Sequence, residues 1–219
     1  ARYEVFDVES LEKFLKMLAR GRKISRLENS SPGYICGLSV SLPYKESILK
    51  YLDEMSEDVR AIGACNTVKI ADIQNDDGGV KKIAIGFNTD CFGFLEALKE
   101  KIASVKGLNV VVLGAGGAAR AIVYGLIKEG AKVVVLNRTV EKAAKIAKDF
   151  ENIRADGGTT EGNRADENNR ATERDRAIES DRADIQFGAL EELENFKCDV
   201  LVQATSAWLD EKEVDFVSE

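Results

Sequence analysis

A glycine-rich turn and three short polar clusters are the places in this 219-residue chain where side chains and backbone could do chemistry. The turn reads Gly114-Ala115-Gly116-Gly117-Ala118-Ala119 and runs into Arg120. Gly114 permits a tight turn and Gly116 lets the backbone approach a pyrophosphate. A helix starting there would offer free N–H groups and the positive end of its dipole to that anion. The polar clusters are Lys45, just after Pro43, then Asn66-Thr67, then Asn88-Thr89-Asp90. The chain contains no histidine, which removes imidazole bases, Ser-His and Cys-His nucleophiles and His-ligated metals together. Acid-base work therefore falls to Lys, Asp, Glu, Tyr or Cys, and no metal is expected.

The elements that must position these groups follow from periodicity. Residues 108–113 form an apolar run, the glycine turn comes next, 120–129 reads as a helix ending at Gly130, and 132–136 is a second apolar run. That order is a βαβ unit with parallel strands and a right-handed crossover. A glycine pattern set in such a unit is a stronger phosphate signal than the pattern alone, although a tight turn without a ligand has the same letters. After the second strand the chain reads Asn137-Arg138-Thr139-Val140-Glu141-Lys142. An NAD site usually carries Asp or Glu here for the ribose hydroxyls, whereas Arg138 with Lys142 suits a ribose 2′-phosphate. Thr139 can cap the next helix, 140–150, and donate a hydrogen bond. This favours NADP over NAD, with ordinary surface cations as the alternative.

Before that unit, 8–19 repeats apolar residues at helical spacing, 34–40 reads as a strand, 46–53 as a helix entered after Pro43, and 64–73 with 82–88 as a hairpin. Residues 92–105 are helical, and 199–203 form a late strand. The three polar clusters thus fall at strand ends or helix starts. Lys45 would meet the unfavourable end of a helix dipole there. Asp90 could be a simple N-cap and Lys45 a solvated cation. Together with a dinucleotide turn, the clusters point to a substrate pocket.

Composition fits a folded protein acting on small molecules. The apolar fraction is 44% and the net charge −7, so there is no basic surplus for nucleic acid or anionic lipid. Cys36, Cys65, Cys91 and Cys198 are too widely spaced for a CxxC motif and read as free, buried thiols of a cytoplasmic protein. No segment reads as a signal peptide or membrane span. Residues 154–184 are unlike the rest: Arg-Ala recurs at 164, 170, 176 and 182 with a period of six, neither helical nor heptad. Almost nothing there can be buried, so the segment reads as a low-complexity insertion.

Six motifs, in order, resemble those of the shikimate/quinate dehydrogenase family. Gly37-Leu38-Ser39-Val40-Ser41-Leu42-Pro43-Tyr44-Lys45 resembles GxNVTxPxK. Ala61 to Thr67 resembles AxGAxNT, Gly86 to Gly93 resembles GxNTDxxG, and Gly114 to Arg120 resembles GAGGAxR. Asn137-Arg138-Thr139 resembles the NRT that grips NADP, and Ala204-Thr205-Ser206 the late ATS strand end. The resemblance implies two parts: an α/β substrate-binding domain over 1–103 and a Rossmann-type, parallel-sheet NADP domain over 104–219, with the active site in the cleft between them. It implies reversible NADPH-dependent reduction of 3-dehydroshikimate to shikimate, in a monomer or homodimer. Lys45 and Asp90 would be the catalytic pair, and Ser41 and Asn66 would join them in binding substrate. The dinucleotide would be held by 114–118, Asn137, Arg138, Thr139, Lys142 and Thr205. Tyr44 is expected to pack rather than catalyse.

The chain also departs from the family's pattern. Ser39 and Ser41 replace Asn and Thr, and Trp208 stands near a position where glycine is usual. The family's two-serine segment near its start and its C-terminal glutamine and helix have no visible counterpart, so the expectation is a chain short at both ends. Two other readings stay open: a quinate/shikimate dehydrogenase using NAD or NADP, and a non-catalytic paralogue that binds a nucleotide or partner.

Overall fold

The computed structural model describes residues 5–19, 36–74, 78–153 and 183–205. The loop expected at 21–33, the hexameric repeat from Arg164 to Arg182, and Ser206 and Trp208 lie outside the described residues.

The first sheet is mixed. Its strands are β1 (Gly37–Ser39), β2 (Glu54–Met55), β3 (Thr67–Gln74) and β4 (Val80–Phe87), in the order β1-β3-β4-β2. β3 and β4 pair antiparallel from Thr67↔Phe87 to Gln74↔Val80, which is the expected hairpin. β2 joins β4 in parallel. Helix α1 (Leu11–Ala19) starts with the Lys13 N–H on Ser10 Oγ and sets Leu11 and Leu15 against a core of Val40, Ile48, Val59 and Val68. Tyr44 packs in the same cluster and donates its hydroxyl to the Val8 carbonyl, the structural role expected of it.

Several boundaries differ from the sequence reading. The helix expected at 46–53 is a 3₁₀ helix of five residues, Ser47–Tyr51, preceded by a turn that holds Lys45. A 3₁₀ helix this short has no dipole to speak of, so Lys45 is not set against one. The strand expected at 34–40 is only Gly37–Ser39 among the described residues. Helix α2 (Glu57–Ile62), with β2 before it, was not expected. Ser56 caps it by accepting from the Val59 N–H, and Gly63 ends it in the left-handed region at φ 71°. The helix expected at 92–105 is α3 (Asp90–Lys99).

The second sheet is parallel throughout. β5 (Asn109–Leu113), β6 (Lys132–Leu136), β7 (Ile185–Gly188) and β8 (Val200–Gln203) stand in the order β7-β6-β5-β8. Numbered from β5, that is 3-2-1-4, the strand order of a Rossmann half whose direction switches between β5 and β8. The near-continuous Val110–Leu113 and Val133–Leu136 runs follow from burial on both faces. Val110, Val112, Val133 and Val135 face α4 (Gly117–Lys128) and α5 (Val140–Phe150). Val111, Val134 and Leu136 face Leu190, Leu193 and Phe196, on or beside the 3₁₀ helix Leu190–Asn195. α3 leans on this second core through Phe94 and Leu98, and crosses α4 where Gly125 leaves room for Cys91 and Leu95. No helix among the described residues is long and apolar enough to cross a membrane. The cysteines are free, but only Cys65 is buried; Cys36 and Cys198 are exposed, because the strand at 34–40 is shorter than expected and Cys198 precedes β8.

Candidate active site

Lys45 and Asp90 come together from opposite sides of the first half of the chain. Lys45 Nζ donates to Asp90 Oδ2 at 2.7 Å, with the two side chains only 14% and 25% exposed, so this is not a loose surface pair. Asp90 opens α3, yet it does not spend its carboxylate on capping that helix. Asn88 does: its Oδ1 accepts from the Asp90 and Cys91 N–H groups at 3.0 and 3.4 Å, while its Nδ2 donates to the Ala64 carbonyl at 2.9 Å. The N-cap position itself belongs to Thr89, whose side chain makes no capping bond. Both Asp90 oxygens are thus left for side chains, Oδ2 for Lys45 and Oδ1 for the Asn66 amide at 2.7 Å.

Asn66 is the hub of the cluster. It sits in the bend before β3, not within the strand, and its amide donates to Thr89 Oγ1 as well as Asp90. Its Oδ1 accepts from the Thr89 N–H and the Thr67 hydroxyl, both at 3.0 Å. Lys45 is fixed through its backbone too: its carbonyl accepts the Cys65 N–H at 2.7 Å. Ser41 enters differently. It is exposed and closes the turn around the cis Leu42-Pro43 bond with its carbonyl, which accepts from Tyr44 N–H. Asn88 and Thr89 are the residues sequence reasoning left without roles; the three-residue spacing from Asn88 to Cys91 was the available signal for a cap.

The glycine turn lies where β5 ends, at the switch point. Gly114 has φ 116°, and a Cβ there would come within 2.9 Å of Ala204 backbone atoms and 3.1 Å of Thr205 Cγ2. Only glycine lets the ends of β5 and β8 close up. Gly116 is different: its Cβ would meet nothing within 4 Å, and it borders a cavity of about 920 Å³. The expected residues Gly114, Ala115, Gly116, Gly117, Asn137, Arg138, Thr139, Lys142 and Thr205 line that cavity together with Lys45. Ala118, in the first turn of α4, does not line it, and neither do Ser41, Asn66 or Asp90. Lys45 bridges the two regions. Its stem lies so close to Gly117 that a Cβ on the glycine would stand 2.6 Å from Lys45 Cβ, and its ammonium reaches Asp90. Asn137 Nδ2 donates to the Thr139 carbonyl and shapes the β6 to α5 turn. Thr139 holds the N-cap position of α5 with the extended backbone usual there, but its side chain makes no capping bond, contrary to the expected cap.

The nearby thiols stay protonated at neutral pH. Burial pushes Cys91 up to about 11, helped by the negative charges of Asp58 and Glu129, and burial likewise raises Cys65 above its ordinary value. The arrangement therefore offers one ammonium held by one carboxylate, at the rim of a cavity whose floor is the N-terminus of α4.

Residues 1–68 match the family described as the shikimate dehydrogenase substrate binding domain, and residues 96–157 that described as shikimate / quinate 5-dehydrogenase. The NADP(+) shikimate dehydrogenase of Carboxydothermus hydrogenoformans is 45% identical over 117 residues, 53% of this chain and 39% of that protein. The chain spans less than half the length of such curated relatives. Shikimate dehydrogenase of Aquifex aeolicus superposes with TM-score 0.62 at 32% identity, over 95% of this chain and 58% of that one. The Thermus thermophilus shikimate 5-dehydrogenase, solved with NADP(H) and shikimate, superposes with TM-score 0.53 at 29% identity, over 90% and 54%. Both halves of the two-sheet architecture thus match the shikimate/quinate dehydrogenase family in sequence and in structure.

Proposed function

We propose that this chain carries the substrate-side and dinucleotide-side halves of an NADP-dependent shikimate dehydrogenase, which reduces 3-dehydroshikimate to shikimate reversibly. The observation that carries the reading is the 2.7 Å Lys45–Asp90 pair at the rim of a cavity floored by Gly114, Gly116 and Gly117. The cavity residues fit a dinucleotide. Gly116 leaves open space where a phosphate must approach backbone, and the helix behind it presents its N-terminus. Arg138 and Lys142 put cations where a 2′-phosphate would lie, which favours NADP over NAD. A bound nicotinamide dinucleotide would supply the hydride for the ketone carbon as NADPH and would take it back as NADP⁺ in the reverse direction.

The chain's own residues handle the oxygen. As the carbonyl C=O becomes C–O⁻, the Lys45 ammonium stabilises the alkoxide and gives it a proton; in reverse the neutral amine takes that proton from the alcohol. Asp90 holds the ammonium in place through Oδ2, and Asn66 holds Asp90 through Oδ1. Asn66 and Ser41 are assigned to the substrate hydroxyls, and Asn137, Thr139 and Thr205 to the dinucleotide with the glycine turn. In domain terms 1–103 serves the substrate and 104–219 the cofactor. The same reading makes the protein a cytoplasmic enzyme, a monomer or homodimer acting on a small molecule.

The test is the rate of NADP⁺ reduction by shikimate, set against quinate and against NAD⁺, for the full chain and for Lys45→Ala. The expected result is turnover with shikimate and NADP⁺, lost in Lys45→Ala while NADP⁺ still binds. Undiminished turnover in the variant refutes the assignment of Lys45, and nucleotide binding without turnover in the parent favours a non-catalytic role.

A further inference from the structure

Arg120 ends the glycine-turn motif, yet the chemistry above gives it nothing to do. It occupies the fourth position of α4, is 5% exposed, and borders the cavity. A buried guanidinium is tolerated only when it is well partnered, so its partners define its task. Nη1 pairs with Asp149 Oδ2 at 2.8 Å, and the guanidinium lies 5.1 Å from the centroid of the Phe150 ring, both on α5. The remaining contact leaves this half of the chain: Nε donates to the carbonyl of Ile62, the last residue of α2, at 2.6 Å. Gly63, just beyond, makes room for the fork, since a Cβ there would stand 2.8 Å from Nη2.

The residues immediately after Ile62 hold the reacting pair. Ala64 accepts from Asn88, Cys65 N–H bonds to the Lys45 carbonyl, and the Asn66 amide bonds to Asp90. One turn earlier on α4, Gly117 presses against the Lys45 stem. The helix whose N-terminus faces the dinucleotide cavity therefore touches the Lys45–Asp90 assembly twice, once by contact and once by hydrogen bond. We propose that Arg120 is a positioning residue that ties the 62–66 segment to α4, so that Lys45 and Asp90 keep a fixed place relative to the glycine turn. Its effect on turnover rests on the function proposed above, whereas the tie itself does not.

The test uses the full chain and the variants Arg120→Met, Arg120→Lys and Asp149→Asn. Arg120→Met and Asp149→Asn both break the Arg120–Asp149 ion pair, but only the first removes the donor to Ile62. Arg120→Lys keeps a cation for Asp149 without that donor, and serves if the Met variant fails to fold. Amide hydrogen exchange, read without ligand, should speed up about tenfold or more at Cys65 and Asn66 in both Arg120 variants and stay near the parent rate in Asp149→Asn. The kcat for shikimate should fall about 10²-fold in the Arg120 variants, with the KM for NADP⁺ held within about threefold, as a misplacement near 1 Å predicts. Unchanged exchange at Cys65 and Asn66 in the folded Arg120 variants overturns the tie. Equal kcat losses in Asp149→Asn and Arg120→Met overturn the positioning role. A parent that exchanges as expected but does not oxidise shikimate overturns the proposed function and leaves the tie standing.

Discussion

The contact between Gly117 and Lys45 is the sharpest place to perturb this site. In Gly117→Ala the new Cβ would stand 2.6 Å from Lys45 Cβ and 3.4 Å from Ala64 Cβ. Carbons in contact settle at about 3.5–4.0 Å, so roughly 1 Å of overlap must be relieved. Lys45 Cβ is not the loose end of a side chain; it is one bond from a backbone whose carbonyl holds the Cys65 N–H. Relief must move the Lys45 backbone or the start of α4. Overpacking of this kind costs about 1–3 kcal/mol, and in a chain of this size each kcal/mol lowers Tm by about 2–4 °C. A shift near 1 Å in a proton donor costs about 10²-fold in kcat. The comparison is Gly116→Ala, where φ is −97° and a Cβ meets no protein atom. That variant should melt with the parent but bind NADP⁺ more weakly, because its methyl occupies the space a phosphate needs. Initial rates with shikimate, NADP⁺ titration by fluorescence and melting curves separate the two. A Gly117→Ala enzyme with kcat within about twofold of the parent would refute the claim that this contact positions Lys45.

Three further outcomes rest on the same geometry. Asn88→Ala removes both the α3 cap and the donor to the Ala64 carbonyl, and should lower stability by about 1–3 kcal/mol; a thermal melt unchanged from the parent would contradict the assigned bonds. Burial pushes Asp149 up, but hydrogen bonds from Lys145 and Arg120 outweigh it and hold the carboxyl below its ordinary value. Its stabilising contribution is therefore complete above the ordinary carboxylate range and fades as pH falls through its lowered folded value, so urea midpoints of parent and Asp149→Asn should differ near neutrality and converge in acid. Alkylation at neutral pH, mapped by mass spectrometry, should reach the exposed Cys36 and Cys198 well before Cys91, whose thiol is pushed up to about 11, and Cys65, which is buried.

The parts of the fold that were legible are those where one physical constraint speaks alone. Val110–Leu113 and Val133–Leu136 are buried on both faces, so their runs are unbroken and their bounds are easily read; α5 (Val140–Phe150) shows an undisturbed helical stripe. Helix α2 was missed because six residues carry only two buried positions, Val59 and Ile62, too few for a period, although Ser56 and Gly63 are good end signals. β7 was hidden by its place directly after a low-complexity segment, and its burial is partial. The 3₁₀ helix at Ser47–Tyr51 looked like a longer helix because Ile48, Leu49 and Leu52 satisfy either period at that length.

The candidate site divides along the same line. Motif spacing brings Lys45, Asn66 and Asp90 to notice as a substrate pocket, but Asp90 taken alone is indistinguishable in the sequence from an ordinary helix cap. A residue two places earlier resolves it. Because Asn88 accepts the N–H groups of Asp90 and Cys91, the carboxylate beside it is released from local duty and can meet an ammonium 45 residues away in the chain. The same Asn88 holds Ala64 with its other end, which keeps Asn66 in reach of Asp90. Local capping and long-range catalysis compete for the same kind of side chain, and a second polar residue near the helix start decides which one wins. Replacing Asn88 should therefore do more than destabilise α3: with its cap gone, the Asp90 carboxylate becomes the nearest acceptor for its own helix N-terminus. In Asn88→Ala, kcat should then fall by more than the loss of folded protein explains, while Asn88→Asp, which keeps the acceptor for the helix but gives up the donor to the Ala64 carbonyl, should recover only part of it. Equal activity per folded molecule in Asn88→Ala and the parent would show that Asp90 needs no such release.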